Sequence, residues 1–141
     1  MWNLAEREKL YSRKVSEGWA ESVAFAPDGK SFATGDWDTH LVLWDAESGE
    51  KLRECQGHRE AVRNVAFSPD GKTLATVDAG GNVILWSPTT GEQLATWQAH
   101  ARNCYGLGFS PDGTLLATTS HLHDPKLWDV ESRTPVANLE R

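Results

Sequence analysis

Val65-Ala66-Phe67-Ser68-Pro69-Asp70-Gly71 reads as a strand that runs into a tight turn. Val62 to Phe67 intersperses apolar and polar side chains and carries β-branched valines, the texture of an extended chain. Pro69 presets its own φ, and Gly71 accepts the positive φ that a tight hairpin needs. Working outward, Thr73 to Val77 reads as a second strand and Val83 to Trp86 as a third. Thr90-Gly91 marks another turn, and Gln93 to Gln98 reads as a fourth strand.

The same pattern recurs without insertion or deletion. Pro-Asp-Gly begins at Pro27, Pro69 and Pro111, in steps of 42 residues. Trp44, Trp86 and Trp128 keep that step, as do Phe25, Phe67 and Phe109, and Thr34, Thr76 and Thr118. Ala33, Ala75 and Ala117 follow it, and so do His58 and His100; one step before Trp44 stands Trp2. Chance does not keep so many residue types in phase. Four antiparallel strands in a unit of 42 residues make a β-propeller blade, so the expected fold class is all-β with three such blades.

Composition narrows the function. The 141 residues carry 14 Lys and Arg against 20 Asp and Glu, a formal net charge of −6. A dedicated nucleic-acid binder needs a basic field, and so does a polybasic membrane-surface protein; neither class is expected here. Apolar runs such as Leu41 to Trp44 are too short to span a bilayer, and no secretory signal pattern is seen. Two cysteines, Cys55 and Cys104, make no disulfide framework, and a reducing cytoplasm is the expected compartment.

The repeats resemble the WD-repeat (WD40) family. The residues that carry the likeness are Gly57-His58, Val65 to Gly71, Leu74-Ala75-Thr76 and Ile84-Leu85-Trp86, with Trp-Asp itself at Trp44-Asp45 and Trp128-Asp129. The likeness covers essentially the whole chain. It implies that the first strand of each blade (strand a) lines a central channel and the fourth (strand d) lies outermost. On that scheme residues 1–13 are the end of a c strand and an extra N-terminal d strand from an upstream blade, and full blades span 14–55, 56–97 and 98–141. Three blades form an incomplete ring, because propellers usually close with four to eight. Two readings stay open: the chain is a piece of a longer propeller, or self-association or another chain closes the ring head to tail. The third blade is the least regular. Pro125 falls inside strand c and delays its start, Arg133 replaces the turn glycines Gly49 and Gly91, and Pro135 falls in strand d, where an edge tolerates it.

The resemblance also implies a buried hydrogen-bond network of His, Ser or Thr, Asp and Trp within each blade. Carried over by residue, it comprises His58, Thr76 and Trp86, then His100, Thr118 and Trp128, then Thr34, Asp38 and Trp44. No blade is complete: Ser16 stands at the His position, Gly80 and Leu122 stand at the Asp position, and Asp78 offers a substitute from two residues earlier. The histidines therefore read as structural. His121-Leu122-His123-Asp124 has metal-ligand residue types but reads as a polar loop, so no metal and no cofactor are expected. Cys104 aligns with Val62 and Ala20, which predicts a buried, inert thiol.

What the family implies is a protein-interaction scaffold whose d–a and b–c loops share one face, where partners dock. The informative positions are those where the repeats disagree: Trp19, Glu21, Arg63, Asn103 and Tyr105 at the entries to strand a, and Trp37, Ala79 and His121 in the b–c loops. Ala61 and Ala79 hold the places of Trp19 and Trp37, so neither Trp serves the repeat. Aromatics with no structural duty, near an Arg and a Tyr, are the composition of a binding hot spot. The expected protein-binding set is Trp19, Glu21, Trp37, Arg63, Tyr105 and His121. The competing reading buries both Trp against an upstream blade and makes these purely structural blades with no client. No enzyme is expected: there is no Ser-His-Asp spacing, no glycine-rich phosphate loop and no carboxylate pair outside the repeat.

Overall fold

The computed structural model describes residues 1–3, 5, 8, 9, 19–121 and 124–138. Ser16, with the rest of 10–18, lies outside the described residues, as do Leu122, His123 and residues 139–141. A short hairpin comes first, β1 (Trp2–Asn3) paired antiparallel with β2 (Glu8–Lys9). Three four-stranded antiparallel meanders follow. Blade one holds β3 (Ala20–Phe25), β4 (Ser31–Asp36), β5 (Leu41–Asp45) and β6 (Lys51–Cys55). Blade two holds β7 (Val62–Phe67), β8 (Leu74–Asp78), β9 (Asn82–Trp86) and β10 (Gln93–Gln98). Blade three holds β11 (Cys104–Phe109), β12 (Leu115–Ser120), β13 (Lys126–Asp129) and β14 (Pro135–Asn138). The all-β expectation of three open blades stands. The second strand of blade two sits one residue later than the sequence suggests, because Ser68 closes the turn by accepting and giving hydrogen bonds with Thr73.

The Pro-Asp-Gly turns repeat their geometry. Gly29, Gly71 and Gly113 have φ of 70°, 71° and 76°. In blade two the Asp70 carboxylate accepts the Lys72 N–H and the Ser68 hydroxyl, so this aspartate is spent on its turn. The irregular third blade behaves as its sequence suggests. β13 begins at Lys126 directly after Pro125, Arg133 adopts a φ of 61°, and Pro135 lies in the outer strand β14.

Each blade packs its face on the next. Ala33, Leu41, Leu43 and Cys55 of blade one meet Val62, Val65, Leu74, Ile84 and Trp86 of blade two. Ala75, Val77, Val83 and Leu85 of blade two meet Cys104, Leu116 and Trp128 of blade three. The two seams are packed differently at one repeat position. A Cβ on Gly35 would lie 2.4 Å from Val62 Cγ1 and 2.9 Å from Val62 Cβ, so glycine is there to make room. One repeat later the large partner is Val77 and the small one Cys104, both fully buried. Burial pushes the Cys55 thiol up to about 11 and the Cys104 thiol up to about 12, which keeps both protonated.

Candidate functional site

Three β-bulges build the site. Register shifts between Ala20 and Ser22, between Val62 and Asn64, and between Cys104 and Gly106, so Glu21, Arg63 and Tyr105 are each the extra residue at the start of strand a. A bulged residue leaves the ladder, and its side chain is re-aimed. Because the blades stand in register, the three bulges line up across the molecule.

The surrounding loops add three more side chains. The Trp37 N–H donates to the Trp19 carbonyl at 3.1 Å, tying the β4–β5 loop to the entry of β3. The two indoles then meet edge to face, with centroids 6.2 Å apart. Trp37 Nε1–H donates to one Glu21 carboxylate oxygen, and the other lies 3.6 Å from Arg63 Nη1. The Arg63 guanidinium sits 4.0 Å from the Trp37 ring centroid and 5.3 Å from that of Tyr105. Such contacts are attractive because the ring face is electron-rich. Tyr105 meets His121 edge to face at 6.4 Å. All six residues of the expected binding set thus form one continuous row across three blades. Its ends are open, with Trp19 77 % exposed, Trp37 45 % and Tyr105 41 %. Its centre is sheltered, with the Arg63 side chain only 11 % exposed and its Nε lacking an acceptor among the described residues.

The residue that shapes the Trp37 loop is Asp36, which sequence reasoning missed. Its Oδ1 accepts the N–H groups of Asp38 and His40, both at 2.9 Å, and its Oδ2 meets His40 Nδ1 at 3.0 Å. This closure holds Thr39 at a φ of 74°, a strained conformation for a β-branched residue. The equivalent residue in blade two is Gly81, with φ 87°, where a Cβ would strike the His100 carbonyl. That glycine one repeat away was the available signal that position 39 needs positive φ.

Behind the row, the buried network ties loops to strands. Trp86 Nε1–H donates to Thr76 Oγ1 at 2.8 Å, Thr76 Oγ1 meets His58 Nε2 at 2.8 Å, and His58 Nδ1 meets Asp78 Oδ2 at 3.3 Å. A carboxylate only accepts, so Nδ1 carries a proton toward Asp78, and the one Thr76 hydroxyl proton has two acceptors in reach, His58 Nε2 at 2.8 Å and the Ile84 carbonyl at 3.3 Å. Burial raises the Asp78 pKa, but hydrogen bonds from His58 and Asn82 outweigh it and hold the carboxyl below its ordinary value. Blade three keeps Trp128 to Thr118 and Thr118 to His100, each at 2.9 Å, with Ser120 in the place of Asp78. Blade one keeps Trp44 to Thr34 at 2.9 Å. Asp38 does not join this network. It is exposed in the hairpin tip, and the buried carboxylate is Asp36, the repeat equivalent of Asp78.

Thr76, His58 and Asp78 stand in the order of a nucleophile, base and orienting acid. Thr76 is fully buried, however, and its oxygen is already occupied by the Trp86 indole, so no substrate reaches it. Of His121 to Asp124, His123 lies outside the described residues; among the described residues no three His, Cys, Asp or Glu side chains converge as a metal site would require.

Known proteins share this architecture. The family profile described as "WD domain, G-beta repeat" matches residues 8–45, 49–87 and 91–129. A ribosome biogenesis protein WDR12 homolog of Drosophila erecta is 37 % identical over 79 residues, covering 43 % of this chain and 19 % of that protein. An uncharacterized WD repeat-containing protein of Nostoc is 49 % identical over 41 residues, covering 29 % of this chain and 3 % of that protein. The solved structure of U3-55K superposes with a TM-score of 0.86 at 27 % identity, covering 91 % of this chain and 41 % of that one. The chain therefore spans about a fifth of the length of the Drosophila relatives it matches.

Proposed function

Because the chain belongs to the WD-repeat family, we propose that it is a non-catalytic scaffold that binds a protein partner along the row Trp19, Glu21, Trp37, Arg63, Tyr105 and His121. One observation carries this reading: six of the residues where the repeats disagree touch one another, and three of them are delivered by bulges at the same repeat position. The packing of Trp37 supports a client over the purely structural alternative. Its ring lies on Arg63 of the next blade, towards the downstream blades. In this row Trp19 is the exposed anchor. Arg63 is the sheltered one, held against the Trp37 and Tyr105 rings beside the Glu21 carboxylate. The match to the ribosome biogenesis proteins covers repeats that the family shares at large, so it supports the scaffold class and no particular assembly. The free, buried thiols Cys55 and Cys104 fit a reducing compartment such as the cytoplasm.

The test is affinity capture with the wild type, Trp19→Ala, Arg63→Ala and a control on the opposite side, Glu131→Ala. Both row variants should lose the same partner by about 30-fold or more in Kd, the cost of a hot-spot truncation. The control should keep it. Equal capture by all four proteins, with unchanged thermal melting, sinks the proposal.

A further inference from the structure

We propose, resting on the row as the binding surface, that Asn64 is a positioning residue: it ties blade three to blade two and sets where Tyr105 stands beside Arg63. Strand a is the edge strand of each blade, so one side of it presents backbone groups that no strand of its own sheet pairs. There Asn64 of β7 donates Nδ2–H to the Tyr105 carbonyl of β11 at 2.8 Å. Tyr105 is the bulged residue of β11, the one its own ladder passes over. The Asn64 amide therefore grips that residue from the neighbouring blade. Arg63 directly precedes Asn64 and lies 5.3 Å from the Tyr105 ring, so the same bond fixes the spacing of two members of the row.

The direction of the amide is fixed from the other side. The Ser22 hydroxyl of β3 accepts the Val65 N–H at 3.2 Å and donates to Asn64 Oδ1 at 3.4 Å. A backbone carbonyl only accepts, so the Asn64 NH2 faces Tyr105. Val65, Ser22, Asn64 and Tyr105 thus form one relay that crosses all three blades, one residue past Glu21 and Arg63. Blade three is where such a grip matters. The residues that follow Glu21 and Arg63 carry side chains, Ser22 and Asn64, but Tyr105 is followed by Gly106. A Cβ at Gly106 would lie 2.2 Å from Thr119 Oγ1, so glycine is required there, and it brings extra backbone freedom to the bulge. On the other side of Tyr105, Asn103 holds a φ of 51° and donates its N–H to the Ala79 carbonyl at 2.8 Å. The bulge hangs on blade two by these two bonds, and Asn64 makes the one that comes from a side chain.

The test labels the full chain with fluorotyrosine and reads fluorine NMR. Its two tyrosines, Tyr11 and Tyr105, give two signals, which Tyr105→Phe assigns. Asn64→Asp keeps the shape and the acceptor for Ser22 but replaces the donor that faces Tyr105. Asn64→Ala removes the amide without adding charge. Both should shift or broaden the Tyr105 signal and leave that of Tyr11 in place, with a cooperative melt showing that the chain is folded. Both should also weaken Kd for the partner that the wild type captures by about 5-fold, the worth of one hydrogen bond. That loss should vanish when Tyr105→Ala is already present. A Tyr105 signal that neither variant moves overturns the proposal. So does an equal loss of affinity with and without the Tyr105 side chain, the mark of a merely structural role. Unchanged affinity in both variants overturns it too where Trp19→Ala still weakens binding; where Trp19→Ala is also silent, the failure belongs to the row itself.

Discussion

Gly35→Val places the residue of the second seam into the first. Its Cβ alone would lie 2.4 Å from Val62 Cγ1 and 3.3 Å from Val65 Cγ1, and two further methyls follow. Val62 is stiff about χ1 and fully buried, so it has no free rotamer to retreat into. Overpacking of this kind costs about 1–3 kcal/mol, and a clash with atoms so near the backbone belongs at the upper end. Valine's preference for strands returns up to about 1 kcal/mol, leaving a net loss of about 2 kcal/mol. Val62→Cys alone should cost about 1 kcal/mol, for lost apolar burial and the small void it leaves. Gly35→Val with Val62→Cys recreates the Val77–Cys104 pairing. The double variant should then be more stable than the sum of the singles by about 1.5 kcal/mol or more. Urea unfolding followed by tryptophan fluorescence measures this, with the m-value checking that the unfolded state is unchanged. Additivity within about 0.5 kcal/mol would refute the claim that glycine is there for Val62.

Two further outcomes follow from the loops. Asp78 has a folded pKa below its ordinary 3.8, so its stabilising effect is fully present above that pH and is lost as pH falls through the lower folded value. Asp78→Asn should lower stability at pH 7 by about 1.5–3 kcal/mol and flatten the acid limb below pH ~4, read from melting temperature against pH; an unchanged limb counts against the His58 contact. Thr39→Gly should raise stability by about 0.5–1 kcal/mol by relieving positive φ, while weakening partner binding because the Trp37 hairpin gains freedom. A variant no more stable than wild type in chemical denaturation shows that Thr39 is not strained.

The repeat made most of the fold legible, because strand period and turn chemistry are local: Pro27, Pro69 and Pro111 each mark a hairpin that the structure contains. The six residues of the row were legible as disagreements between repeats. What made them adjacent was not, since a bulge is a property of hydrogen-bond register between strands and leaves no composition of its own at Glu21, Arg63 or Tyr105. Asp38 was preferred over Asp36 because the family pattern places the acid two residues later; which carboxylate folds back depends on the hairpin's path. Gly35 gave no local signal either. Its partner Val62 lies in another blade, and a small residue explained by a distant large one shows only in three dimensions.

The bulges separate two kinds of information in one chain. Glu21, Arg63 and Tyr105 differ in charge, size and aromaticity, yet the strands that carry them pair in the same register on either side. Residues in the ladder must satisfy propensity and seam packing at once. The bulged residue stands outside the ladder, so its side chain can differ from blade to blade while the strands on either side keep their pairing. On the proposed reading of the row as a binding surface, each blade thus offers one position where recognition can change apart from strand pairing, and a designer who wanted a new partner would begin with those three letters and leave the remaining repeat alone.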